Sequence, residues 1–152
     1  MDENQNFNNN NAQNANMNGN NVTVEVDSNV ANEWGEFSVQ DANANKVMAI
    51  LAYIIPLIPF LAEKNSKWVR FHSIQGMNFW VIAIAIYVLL MIIGIIAAVI
   101  PFIGWLLGIV LVLIGLAVSF AILALDVIGI INVIQNKAKE LPVVSKIKIF
   151  KK

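Results

Sequence analysis

Asp126, His72 and Arg70 are the side chains whose types and spacing could do chemistry, and they stand at the two borders of a long charge-free run. From Met77 to Leu125 the chain carries no Asp, Glu, Lys or Arg. If that run folds back on itself at Pro101, positions whose numbers sum to about 202 face each other, which brings His72 within about one helical turn of Asp126. An acid beside an imidazole or a guanidinium could act as a proton or ion relay, since ionisable groups in membrane helices often mark such paths. The plainer use of the same contact is to anchor Asp126 at the membrane boundary and fix the hairpin register. A single acid at one interface lines no path, so the anchor is the expectation.

Other chemistry finds little support. The sequence has no Gly-rich phosphate loop, no Gly-x-Ser-x-Gly elbow and no His-Glu-x-x-His. It has no cysteine and one histidine, so thiolate nucleophiles and thiolate or multi-histidine metal sites are excluded. No enzyme, cofactor or metal is expected, and nothing points to nucleic acid.

The elements that must position these residues are membrane helices. Hydrophobic residues make up 58% of the chain and charged ones 13%, well outside globular averages. The fold class expected is an all-α integral membrane bundle of three transmembrane helices with a disordered N-terminal tail. Residues 77–100 and 102–125 form two spans of about 24 residues, long enough to cross a bilayer, and the second extends to residue 134. The first apolar segment, residues 47–62, gives only about 24 Å against a hydrocarbon core of about 30 Å. Pro56 and Pro59 interrupt it. A short kinked span is expected; a re-entrant hairpin is the alternative.

Packing seams follow from the helical period. Gly104, Gly108, Gly115, Ser119, Asp126 and Gly129 fall in a stripe roughly 80° wide, and His72, Gly76, Ala83, Tyr87, Gly94 and Ala98 share a comparable one. Small residues let backbones approach closely in lipid. The facing pairs expected are Gly94 with Gly108, Tyr87 with Gly115, Ala83 with Ser119 and Gly76 with Asp126, with closest approach near Gly104–Gly108 and Gly115–Ser119.

Three regions follow: a disordered, Asn-rich acidic tail over 1–45, a membrane domain over 46–136 and a basic C-terminal tail over 137–152. The first region holds seven acids and no Lys or Arg; the rest holds all ten basic residues and only Glu63, Asp126 and Glu140 as acids. Such a polar tract buries too little apolar area to offset its ordering entropy. Lys64, Lys67 and Arg70 precede the second span, and Lys137, Lys139, Lys146, Lys148, Lys151 and Lys152 follow the third. The positive-inside rule makes both regions cytoplasmic. With three spans the N-terminus then lies outside an inner cell membrane and the C-terminus in the cytoplasm. With a re-entrant first segment both ends lie inside. The partners expected are the lipid bilayer, including anionic lipids at the basic tail, and a membrane protein or a second copy.

The segment Lys67-Trp-Val-Arg-Phe-His-Ser-Ile-Gln-Gly-Met-Asn-Phe79, together with Leu141-Pro-Val-Val-Ser-Lys-Ile-Lys148, resembles the Tic-twenty-like group of small bacterial membrane proteins, named after a chloroplast import component. The resemblance covers roughly residues 46–150. It implies a multi-pass membrane protein of uncharacterised role and suggests protein translocation only by analogy. The function expected is a structural or interaction component of a membrane complex; the alternative is a subunit of an oligomeric transporter, channel or protein-translocation assembly.

Overall fold

The computed structural model describes residues 23–150; the Asn-rich residues 1–22, expected to be disordered, lie outside them, as do Lys151 and Lys152. The described chain begins with a two-residue strand, Glu25–Val26 (β1), and the short helices Ser28–Trp34 (α1) and Val39–Ala44 (α2). Lys46–Ile54 (α3) and Leu57–Ala62 (α4) come next, then the long helices Lys67–Ala98 (α5) and Gly104–Ile134 (α6), and last Lys137–Ala138 (β2). The fold is helix-rich, and among the described residues one small sheet joins β1 to β2 in parallel, Glu25 opposite Lys137 and Val26 opposite Ala138.

The tail expected to be disordered through residue 45 is folded from residue 23 onward. Its apolar residues are few but large. Val30, Trp34, Phe37 and Ala42 are buried in one cluster with Trp68, Phe71, Ile74 and Phe79 of α5 and with Val133, Ala138, Leu141 and Val144. Each buried aromatic removes enough surface from water to offset several residues of ordering. Composition averaged over 45 residues conceals these anchors. Gly35, with φ +69°, supplies the left-handed turn that ends α1 and returns the chain toward α5.

Charge and capping fix where α5 begins. Ser66 accepts a hydrogen bond from the Val69 N–H at 3.1 Å, and Asp41 reaches over from α2 to accept from the Trp68 N–H at 3.0 Å. Two of the four orphan donors of a helix N-terminus are thereby met, one by a carboxylate placed where the helix dipole favours it.

The first apolar segment is not one continuous helix. Pro56 has no N–H to give the Ala52 carbonyl, and Ile55 before it is extended, with φ −138° and ψ 78°, so the helix stops and restarts as α4. Gly76 of α5 sits on that freed carbonyl, and a Cβ there would overlap the Ala52 oxygen. The path of the segment is a return. The Lys46 ammonium donates to the Ile134 carbonyl, the Tyr53 ring lies against Gly129, and beyond the break Phe60 stacks under Arg70, 5.7 Å from guanidinium to ring. α3 therefore runs antiparallel to the end of α6, and α4 comes back toward the start of α5. A third spanning helix is not formed by these residues, because neither half is long enough to cross by itself.

α5 and α6 have 32 and 31 residues, about 48 and 46 Å, and both are long and apolar enough to cross a membrane. The most apolar stretch of each helix lies outside the buried cluster, since 11% of that stretch in α5 and none of it in α6 is buried. The turn between them holds Phe102 at φ +64°, and Gly104 packs onto the Ala97 carbonyl.

The parallel β1–β2 pair has a topological consequence. β2 follows the end of α6 and β1 belongs to the N-terminal segment, so both ends of the described chain sit at the same end of the helical hairpin. The opposite placement of the two ends expected with three spans is not what the structure shows. β1 pairs with Lys137–Ala138, while Ile149 and Phe150 farther along the chain are held on α5 by Asn78.

Candidate functional site

His72, Gln75 and Asn78 recur every three residues along α5, so a polar stripe enters an otherwise apolar helix. All three are buried, and each is spoken for differently.

Gln75 donates from Nε2 to the Lys139 carbonyl at 3.1 Å, which fixes its amide so that Oε1 faces the Tyr53 hydroxyl. Tyr53 has one proton and gives it to Gln75 in a short hydrogen bond. The phenolic oxygen is then the acceptor for His72 Nδ1 at 2.9 Å, so Nδ1 carries a proton. The chain of donors runs from His72 through Tyr53 and Gln75 to the backbone beyond β2. It ties α3, α5 and the C-terminal segment together. His72 Nε2 is buried without a hydrogen-bond partner and is enclosed by rings: Trp68 at 4.4 Å, Phe71 at 4.9 Å and Tyr53 at 5.8 Å between centroids.

Asn78 does a different job. Its Oδ1 accepts from the N–H groups of Ile149 and Phe150 at 2.8 and 2.6 Å, and its Nδ2 donates to the Phe150 carbonyl at 2.8 Å. One side chain thus clamps the extended C-terminal segment to α5. Lys148 adds a second tie, pairing with Glu33 of α1 at 2.7 Å and Glu140 at 2.6 Å. Those two acids, Glu140 first, hold the Lys148 ammonium above the ordinary lysine range.

Asp126 lies half-buried on α6 in a cleft of about 290 Å³ lined by Trp80, Ala83, Ile84, Tyr87, Ser119, Ile122 and Leu123. Among the described residues no hydrogen bond or ion pair joins it to His72 or Arg70, and its Oδ1 is buried without a partner. Tyr53 stands between: it bonds His72, and Asp126 acts on it electrostatically. Gly129 makes this possible, since a Cβ there would overlap the ring. Arg70 is exposed and stacks on Phe60.

The seam also differs from the expected pairings. Tyr87 and Ser119 share a hydrogen bond of 2.8 Å, and Ser119 donates on to the Gly115 carbonyl at 2.8 Å. Gly94 lies opposite Leu111, whose side chain spaces the helices. Gly76 meets α3 instead of Asp126, Ala83 lines the cleft, and Gly108 and Gly115 face open space. Close approach occurs at Gly76, Gly104 and Gly129. The sum rule treated the two helices as a straight ladder, and the α3–α4 return inserted at their base displaces it.

Tyr53, Gln75 and Asn78 were not singled out as a site by the sequence. Their signal was present in the three-residue spacing of polar side chains within an apolar helix. Among the described residues no group of three or more His, Asp or Glu could hold a metal ion.

The geometry describes a network that ties α3, α5 and the C-terminal segment together, and the chain is a small membrane-associated protein. No curated protein and no solved structure matches it. Residues 40–149 match the profile of the MamF_MmsF family. That match overturns the likeness to the Tic-twenty-like group, which rested on two short motifs now seen to be polar anchors and a C-terminal strap. Because the match spans well over half the sequence, the chain belongs to the magnetosome magnetite crystal formation protein family.

Proposed function

We propose that this protein is a non-catalytic, multi-pass component of the membrane in which its family serves magnetite crystal formation, built as two spans with a folded cap on one face. The observation that carries the reading is the parallel β1–β2 pair together with the Trp34, Phe37, Trp68 and Phe71 cluster, which gathers both ends of the described residues into one surface. α5 and α6 cross the bilayer, and α3–α4 dip into it and return, leaving Leu57, Ile58 and Leu61 exposed toward lipid. Lys64, Lys67, Arg70, Lys137, Lys139 and Lys146 all lie at the capped end, which the positive-inside rule assigns to the cytoplasm. The cap then offers a protein partner a rigid cytoplasmic face, and the turn at Phe102 lies on the opposite side.

A second reading, an oligomeric transporter or channel subunit, draws on one observation: the unpartnered Asp126 oxygen in its cleft. Three or more copies would be needed, and the open faces of Gly108 and Gly115 leave room for helices of other copies.

Complementation separates the two. In a magnetite-forming cell lacking this protein, wild type and Asp126→Asn are expected to restore crystal size and number equally, whereas Trp34→Ala with Phe37→Ala, which strips the cap, is expected to fail while still fractionating with membranes. Failure of Asp126→Asn with a functional cap variant would replace the structural reading with the flux reading.

A further inference from the structure

The polar protons around the cleft at Asp126 are all committed elsewhere. Ser119 gives its proton to the Gly115 carbonyl, so the Tyr87 hydroxyl donates to Ser119 Oγ, each bond at 2.8 Å. Trp80 Nε1 donates to the Tyr53 carbonyl at 2.8 Å, and the Tyr53 hydroxyl gives its proton to Gln75. Basic side chains of the capped end are engaged too: Lys46 donates to the Ile134 carbonyl, Arg70 stacks on Phe60 and Lys137 pairs with Glu25. Among the described residues the Asp126 carboxylate is therefore left without a donor, with its Oδ1 buried and unpaired. A carboxylate so placed costs free energy until a donor reaches it, and a positively charged N–H donor serves it best.

Depth decides what kind of donor arrives. The rise from Gly104 to Asp126 is about 33 Å along α6, so with the turn at one face of a hydrocarbon core about 30 Å thick the carboxylate lies at headgroup level on the other face. From Asp126 the cleft of about 290 Å³ continues about 10 Å toward Ser119, between Ile84 and Leu123, both more than half exposed. Its one unpaired polar group is an acid at the headgroup end, and its walls below are apolar. A lipid that carries an N–H cation at its head and a hydrocarbon chain beneath complements both parts. Choline does not fit the first requirement, because a quaternary ammonium has no proton to give, whereas a primary ammonium has three.

We infer that the cleft between α5 and α6 binds a phospholipid with a primary ammonium headgroup, of the phosphatidylethanolamine class. The Asp126 carboxylate accepts from the ammonium, and one acyl chain lies along Ile84 and Leu123. The inference rests on the reading that α5 and α6 cross the bilayer and adds a lipid partner to it. It gives Asp126 a binding role that needs neither flux nor a second copy.

The test uses the full chain reconstituted in vesicles of phosphatidylethanolamine and phosphatidylcholine with matched acyl chains, extracted gently in detergent, with co-purifying lipid counted by native mass spectrometry. Phosphatidylethanolamine is expected to be retained about tenfold over phosphatidylcholine, the ratio that one hydrogen bond to a charged group supplies at the low end of its range. Asp126→Asn is expected to remove that preference. Leu123→Lys, which sets an ammonium one turn from an intact Asp126 on an exposed position, is expected to remove it as well. Equal retention of the two lipids by the wild-type chain overturns the inference, and so does a preference that survives in either variant. A membrane-permeant carbodiimide, which joins a carboxylate to a primary amine in contact with it, identifies the occupant: Asp126 coupled to phosphatidylethanolamine supports the lipid site, and Asp126 coupled to a lysine of another chain overturns it. Flotation of the same vesicles separates the two levels. A chain that floats without preferring phosphatidylethanolamine loses only the lipid site, and a chain that does not float loses the membrane reading as well.

Discussion

The two ends of the α5–α6 hairpin use the same residue types for opposite purposes. At the capped end, Gly76 and Gly129 are pressed against Ala52 and Tyr53, and the polar groups of Gln75 and Asn78 are bonded. Beyond the cap, Gly108 and Gly115 face open space and Phe102 is 92% exposed, and only Gly104, inside the turn, is again pressed onto backbone, at the Ala97 carbonyl. One end is covered by its own chain; the other leaves its apolar surface exposed. A glycine in an apolar helix therefore carries no fixed meaning. What the chain places opposite it decides whether it is a contact or a gap.

Substitutions can break or sharpen that contrast. Gly76→Ala is expected to cost about 3 kcal/mol of stability in detergent, because the Ala52 carbonyl is backbone and has nowhere to move. Gly115→Ala is expected to stabilise α6 by about 0.7 kcal/mol, since nothing opposes the methyl and helix propensity improves. Denaturation of both variants measures the difference, and equal effects would erase the distinction between the ends.

The hydroxyls give a second pair. Tyr53→Phe leaves buried groups on His72 and Gln75 without partners and is expected to cost about 2 kcal/mol. Tyr87→Phe removes an exposed bond to Ser119 and is expected to cost about 0.5 kcal/mol. The cleanest readout is near-ultraviolet circular dichroism of the aromatic cluster during unfolding.

The strap responds to pH in one direction. Lys148 has its pKa raised in the folded chain, so its contribution is fully present below the unfolded lysine value and is lost as pH rises through the folded one. Proteolysis of the C-terminal segment is expected to accelerate only at strongly alkaline pH. In Lys148→Met that alkaline step disappears. At the turn, Phe102→Gly relieves the left-handed backbone and is expected to stabilise by about 0.5 kcal/mol, read as a shift in thermal midpoint.

The long helices were legible because a charge-free run of that length has few other uses. The break at Pro56 was legible too, although the sequence expectation preferred a kinked span to a return. What decided between them was Gly76 receiving the freed carbonyl and Gly129 receiving Tyr53, pairings between residues far apart in sequence. The folded N-terminal segment was missed for the opposite reason. Its acidic, Asn-rich composition is that of a disordered tail, yet Val30, Trp34 and Phe37 suffice once α5 presents Trp68 and Phe71 to them. The polar site was half legible. His72 was singled out with the wrong partner, because the sum rule reaches only α6 and the partner, Tyr53, comes from α3.

The proposed two-span reading requires both ends of the described residues to lie on one side of the membrane and the turn on the other. The chain has no cysteine, so single substitutions report cleanly. Ser28→Cys, Ser145→Cys and Phe102→Cys, each labelled in sealed membrane vesicles with an impermeant maleimide, measure it directly. The first two are expected to react from the same side and Phe102→Cys from the opposite side. Labelling of Ser28→Cys from the side that labels Phe102→Cys would contradict the two-span account.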